Sequence, residues 1–107
     1  MSIKLTYHPR LYLGEGIKRE KLDKLKKQLE KRPLLSGVVL ITLSRNPSDQ
    51  LEIYEAGQLQ QSYYKKNPPF VVGIAVDRQE ALEVVELLVQ ECLDKRGDCA
   101  LKEYLSC

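Results

Sequence analysis

Residues 46–61 of the chain read NPSDQLEIYEAGQLQQ, and the structure of this stretch decides the fold class. Asn46 favours a helix here because its side chain can cap the first turn. Pro47 then fits the first helical position, where its missing N–H group has no intrahelical partner to lose. Gly57 counts against a helix, at a cost of about 1 kcal/mol relative to alanine. The capping signals lead us to predict a helix.

Apolar runs flank this stretch on both sides. Residues 37–44 read GVVLITLS and residues 70–76 read FVVGIAV, and both are rich in β-branched side chains. Short runs of this kind are typical of strands that are covered on both faces. Residues 3–13 also read as extended, and Pro9 within them breaks this stretch or marks a bulge or an edge. The sequence thus predicts three strands.

Two further helices are predicted outside the deciding stretch. Residues 18–32 place leucines on one narrow face, as expected of a surface helix that docks along one side. A longer helix begins at Asp77, which forms a capping box with Glu80, and ends at Gly97. Residues 99–105 add one short helical turn. The predicted order of elements is therefore β-α-β-α-β-α.

This order predicts one domain over residues 1–107, of α/β class, with a three-stranded and mainly parallel sheet in two or three layers. Residues 18–32 have a net charge of +5, and residues 79–98 have a net charge of −4. We expect the strand order 2-1-3, because right-handed crossovers then place these oppositely charged helices on one face. If residues 51–56 form a strand instead, the fold becomes an α+β sandwich.

Composition narrows the class of protein. The chain has 107 residues, of which 43% are hydrophobic and 30% charged, as in an ordinary globular domain. The sequence has no apolar run of the roughly 18–20 residues that span a bilayer. The first residues lack the apolar core of a secretory signal. We therefore expect a cytoplasmic protein that does not insert into membranes.

Catalytic and metal-binding patterns are absent from the sequence. Cys92, Cys99 and Cys107 are separated by six and seven intervening residues, which matches no common zinc spacing. The single histidine, His8, has no nucleophile or orienting acid beside it in the sequence. We predict a protein without enzyme activity, metal or cofactor.

A ligand site is predicted where helices begin after strands. In an open parallel sheet, ligands bind beyond the carboxyl ends of the strands, and helix N-termini there present N–H groups to anions. Basic and hydrogen-bonding side chains in these loops suit a small phosphate or carboxylate. The predicted ligand-binding residues are Lys18, Ser44, Arg45, Asn46 and Arg78. The leading functional prediction is a small binding or regulatory module for such an anion.

An alternative interaction loop contains Tyr63, Tyr64, Lys65 and Lys66. Tyrosines beside lysines can stack on bases and contact phosphates, so this loop suits a protein–protein or nucleic-acid accessory domain. The formal net charge of only +2 argues against nucleic acid as the partner. The two open edges of a three-stranded sheet favour a homodimer in either case.

Overall fold

The computed structural model describes residues 5–32, 36–44, 49–61 and 66–106. Its strands are β1 (Thr6–Leu13), β2 (Val39–Leu43), β3 (Leu51–Glu55) and β4 (Phe70–Ala75). Its helices are α1 (Leu22–Lys31), α2 (Arg78–Arg96) and α3 (Leu101–Ser106), with 3₁₀ turns at Arg19–Lys21 and Ala56–Gln60. The protein therefore combines helices and strands, as predicted.

The four strands form one mixed sheet in the order β1-β4-β2-β3. Only β1 and β4 are parallel, whereas β2 runs antiparallel to both β3 and β4. The prediction of a three-stranded, mainly parallel sheet in the order 2-1-3 is wrong in strand number, direction and order. The physical reason is the hairpin partner that β2 finds in β3.

β3 occupies the part of the deciding stretch for which a helix was predicted, so that prediction is wrong there. Ile53 pairs with Ile41 of β2, and Tyr54 pairs with Leu40. Tyr54 is buried on one face of the sheet, while Ile53 packs on the other, which is the alternation that a strand requires. The alternative prediction of a strand at residues 51–56 is confirmed from 51 to 55.

Helices cover both faces of the sheet, which gives three layers. On one face, Leu29 of α1 packs with Leu40 and Ile74. On the other face, Leu88 of α2 and Leu105 of α3 pack with the opposite side of the sheet. The basic α1 and the acidic α2 are therefore on opposite faces, and the prediction that they share one face is wrong. Among the described residues, no ion pair joins them.

β4 contains one extra residue, which interrupts the alternation of its side chains between the two faces of the sheet. Gly73 pairs with Ile41, but Val71 already pairs with Thr42, so Val72 is an additional residue in a β-bulge. The neighbouring strand β1 is irregular at the same level, since Tyr7 pairs with Val71 and Tyr12 pairs with Gly73. Pro9 lies in that irregularity of an outer strand, so it marks an irregular edge strand and does not break β1.

The ends of α2 also follow the sequence signals. Asp77 caps the first turn, and its Oδ1 accepts a hydrogen bond of 2.8 Å from the Glu80 N–H. Gly97 ends the helix with a φ of 78°, in the left-handed region that glycine adopts most readily. Across the described ranges, none of the helices has the length and apolar character to span a membrane.

Candidate functional site at the upper edge of the sheet

Three strand ends and one strand start meet along one edge of the sheet. The parallel pair β1 and β4 end together, with Leu13 beside Ile74. Because β2 is antiparallel to β4, its first residue, Val39, lies beside Ala75 and also beside Glu55 at the end of β3. We call this the upper edge, and the opposite one the lower edge. The upper edge gathers the loops that begin α1 and α2.

The structure separates the predicted ligand-binding residues. Lys18 and Arg78 both lie at the upper edge, Lys18 in the loop after β1 and Arg78 at the first position of α2, which follows β4. Ser44 follows β2 and therefore lies at the lower edge, where its buried hydroxyl donates a 3.2 Å hydrogen bond to Glu52. Arg45 and Asn46 lie outside the described residues. The antiparallel direction of β2 is the reason that Ser44 does not meet the other two.

The alternative interaction loop falls mostly outside the described part of the chain. Tyr63, Tyr64 and Lys65 are not described, whereas Lys66 is exposed and lies shortly before the start of β4 at the lower edge. A role of this loop in binding a protein or a nucleic acid stays a prediction.

The carboxylate of Glu80 lies at the upper edge, where the sequence predicted that a ligand's anionic group would bind. Its Oε2 accepts a 3.0 Å hydrogen bond from the Gly16 N–H, and its Oε1 accepts a 3.1 Å bond from the Val76 N–H. A Cβ atom at Gly14 would lie 1.9 Å from Glu80 Oε1, so glycine is required for this close approach. The N-terminus of α2 and the loop after β1 therefore already hold a carboxylate.

Replacing Glu80 with alanine should create an anion site. Both N–H groups lose their carboxylate, and we expect the free energy of unfolding to fall by about 1–2 kcal/mol. Phosphate should then occupy the vacated position and restore part of this stability, as measured by thermal melts. Glu83→Ala is the matched control, because Glu83 is exposed on the same helix. Equal phosphate responses of the two variants would show that no such site forms.

A cavity of about 260 Å³ opens at the upper edge beside α1. Ile17, Leu25 and Val38 give it apolar walls, and Lys18 and Lys21 lie on its lining. We call it the lysine cavity. Lys21 and Leu25 are four residues apart, so the helical repeat places them on the same side. Both lysines are exposed, and within the described chain neither side chain forms an ion pair.

A second cavity, of about 340 Å³, is formed where β2 begins and where β3 and β4 end. We call it the Arg78 cavity. Its charged lining residues are Glu55, Asp77 and Arg78, and it shares Val38 with the lysine cavity. Lys18 and Arg78, which the sequence placed in one site, therefore line two different but neighbouring cavities.

A polar cluster that sequence reasoning missed joins β1, α2 and α3. Glu91 Oε1 accepts hydrogen bonds from the hydroxyls of Tyr12, at 2.9 Å, and of Tyr104. Arg10 Nη1 lies 3.1 Å from the same oxygen. The bond from Tyr104 above all lowers the pKa of Glu91, and burial raises the pKa of Tyr12. The cluster ties α3 to the sheet, and its members are too far apart in sequence to form a motif.

His8 lies inside β1 rather than in either cavity. Its side chain is buried, and its Nδ1 accepts a 3.1 Å hydrogen bond from the Arg10 N–H. Burial lowers its pKa, so the neutral imidazole is favoured. These contacts give His8 a structural role in the irregular part of β1.

The described cysteines occupy different environments. Cys92 is buried on the side of α2 that faces the hydrophobic core, and burial raises the pKa of its thiol. Cys99, in contrast, is exposed. Cys107 lies outside the described residues. Over the described ranges, His, Cys, Asp and Glu side chains form no group of three that could hold a metal ion.

Comparison of the chain with protein-family models, with curated proteins and with solved structures gave no match.

Proposed function

We propose that this protein is a small binding module without catalytic activity, and that its ligand has an anionic group attached to an apolar body. The observation that carries the proposal is the lysine cavity, in which Lys18 and Lys21 adjoin apolar walls. Two ammonium groups attract a carboxylate or a phosphate, and the apolar walls favour a hydrocarbon portion of the ligand.

The lysine cavity is a better site for a ligand's anionic group than the N-terminus of α2, because Glu80 already occupies that N-terminus. An anion bound at that N-terminus has to displace a carboxylate that already accepts two backbone hydrogen bonds. Lys18 and Lys21, in contrast, have no ion-pair partner among the described residues. A ligand therefore gains two cations without breaking an ion pair of the described part of the chain.

Thermal melts with hexanoate, hexyl phosphate and inorganic phosphate test the proposal. A compound at about 100 times its dissociation constant stabilises the folded protein by about 2.7 kcal/mol, which raises the melting temperature by roughly 10 °C or more. We expect the six-carbon compounds to stabilise the protein more than inorganic phosphate does. The double variant Lys18→Ala, Lys21→Ala should lose most of this response.

The matched control is the double variant Lys24→Ala, Lys27→Ala. It removes the same charge from exposed positions of α1 that do not line the cavity. The control should keep the response of the natural sequence. Equal losses in the two double variants would mean that the lysines act only through net charge, and the proposal would then be wrong.

Three properties accompany this proposal as predictions. We expect the protein to need no cofactor, because we propose that it binds its ligand without a chemical reaction. A homodimer would form through an outer strand, which is β1 or β3 in the described sheet. A cytoplasmic location follows from the sequence expectation alone.

A further inference from the structure

The residues that line the Arg78 cavity include both acidic and basic side chains. Its volume of about 340 Å³ falls in the range of small-molecule sites. Its lining comes from the start of β2, from the end of β3 and the turn after it, and from residues 76–78, where β4 leads into α2. Glu55 and Arg78 bring opposite charges to it from two different strand ends.

The charges of Glu55 and Arg78 are not used within the described protein. Both side chains are exposed, and they line the same cavity without forming an ion pair with each other at 4 Å or less. Asp77 differs, because its Oδ1 is engaged by the Glu80 N–H. Glu55 is therefore available to a cation, and Arg78 is available to a carboxylate.

We propose that this cavity binds a small zwitterion of the free amino acid type. The ligand's carboxylate pairs with the guanidinium of Arg78, which can donate two parallel hydrogen bonds to a carboxylate. The ligand's ammonium pairs with Glu55. The proposal goes beyond the anionic ligand of the lysine cavity, since it concerns different charged residues.

A ligand that lacks either charge fits this cavity less well. Without an ammonium group, its carboxylate still pairs with Arg78, but Glu55 and Asp77 repel it and Glu55 gains no cation. Without a carboxylate, it leaves Arg78 unpaired while the ammonium is bound. The arrangement therefore selects for the presence of both charges and not for net charge alone.

Isothermal titration calorimetry of the full chain tests the inference, with a panel of free amino acids as ligands. The N-acetyl form and the carboxamide form of the tightest-binding amino acid each remove one charge. We expect each modification to weaken binding by about tenfold or more, since each removes a hydrogen-bonded charge.

Variants assign the two charges to their partners. Glu55→Gln should weaken binding of the free amino acid and abolish its preference over the N-acetyl form. Arg78→Gln should abolish the preference over the carboxamide. Glu83→Gln and Arg32→Gln are the matched controls, because both residues are exposed and lie outside the cavity lining. Circular dichroism melts of each variant establish that it remains folded.

Two results would overturn the inference. One is that no amino acid of the panel binds at millimolar concentration. The other is that binding survives in both Glu55→Gln and Arg78→Gln. Neither result bears on the lysine cavity, because Lys18 and Lys21 do not line this one. Conversely, the double variant Lys18→Ala, Lys21→Ala should bind the amino acid normally.

Discussion

Leu29→Ala should lower the free energy of unfolding by about 2–5 kcal/mol, measured by urea or thermal unfolding. Leu29 has no exposed surface and is the one fully buried residue of α1. Its neighbours on the apolar stripe, Leu22 and Leu25, are only partly buried against the same core. The docking of this highly charged helix therefore depends mainly on one side chain.

Two control substitutions separate docking from helix propensity. Leu25→Ala should cost less than Leu29→Ala, because Leu25 is only partly buried. Lys27→Ala should change stability little, because Lys27 is exposed. A loss below about 1 kcal/mol for Leu29→Ala would mean that α1 does not pack on the sheet as described. It would also remove the basis for the lysine cavity, to which α1 contributes Leu25.

Gly73→Val should lower the free energy of unfolding by about 3 kcal/mol, at the upper end of the usual cost of overpacking. A Cβ atom at Gly73 would lie 3.1 Å from Ile41 Cδ1 and 3.1 Å from the Tyr12 carbonyl oxygen, with Val84 Cγ1 at 3.4 Å. The two methyl groups of valine extend further into space that β1, β2 and α2 already fill.

Gly73→Ala should destabilise the protein less than Gly73→Val. Alanine adds only the Cβ atom, and its lower conformational entropy in the unfolded chain offsets part of the cost. Val76→Ala is the control, because Val76 is 40% exposed at the end of the same chain segment. If Gly73→Val were as stable as the natural sequence, the close approach of β1 and β2 to Gly73 from its two sides would be wrong.

Hydrophobic pattern and capping chemistry predicted most elements of this fold. Residues 37–44 and 70–76 contain β2 and β4, because short β-branched runs need burial on both faces. The capping pair Asp77 and Glu80 located the start of α2, and Gly97 located its end. These signals are local, and the structure satisfies them locally.

The deciding stretch shows where local signals fail. Asn46 and Pro47 resemble a helix start, but the five residues 51–55 alternate between the two faces of the sheet. In a hairpin with β2, they bury Tyr54 and gain a ladder of pairings that a sequence-local argument does not count. Tertiary packing thus overrides the capping preference.

That one difference also changed the candidate site. A strand in place of a helix reverses the direction of β2 relative to β4, so Ser44 moves to the lower edge while Lys18 and Arg78 stay at the upper edge. The bond from Gly16 to Glu80 spans 64 positions of the sequence. The sequence could therefore identify basic residues near helix starts, but it could not tell which N–H groups the chain itself occupies.

The most direct test of the binding proposal is a ¹⁵N–¹H NMR titration with hexyl phosphate, following backbone amide shifts along the chain. We expect the largest shifts at the residues that line the lysine cavity, which are Gly16, Ile17, Lys18, Lys21, Leu25 and Val38. Shifts concentrated at Lys66 and the rest of the lower edge, or the absence of saturable shifts, would contradict it.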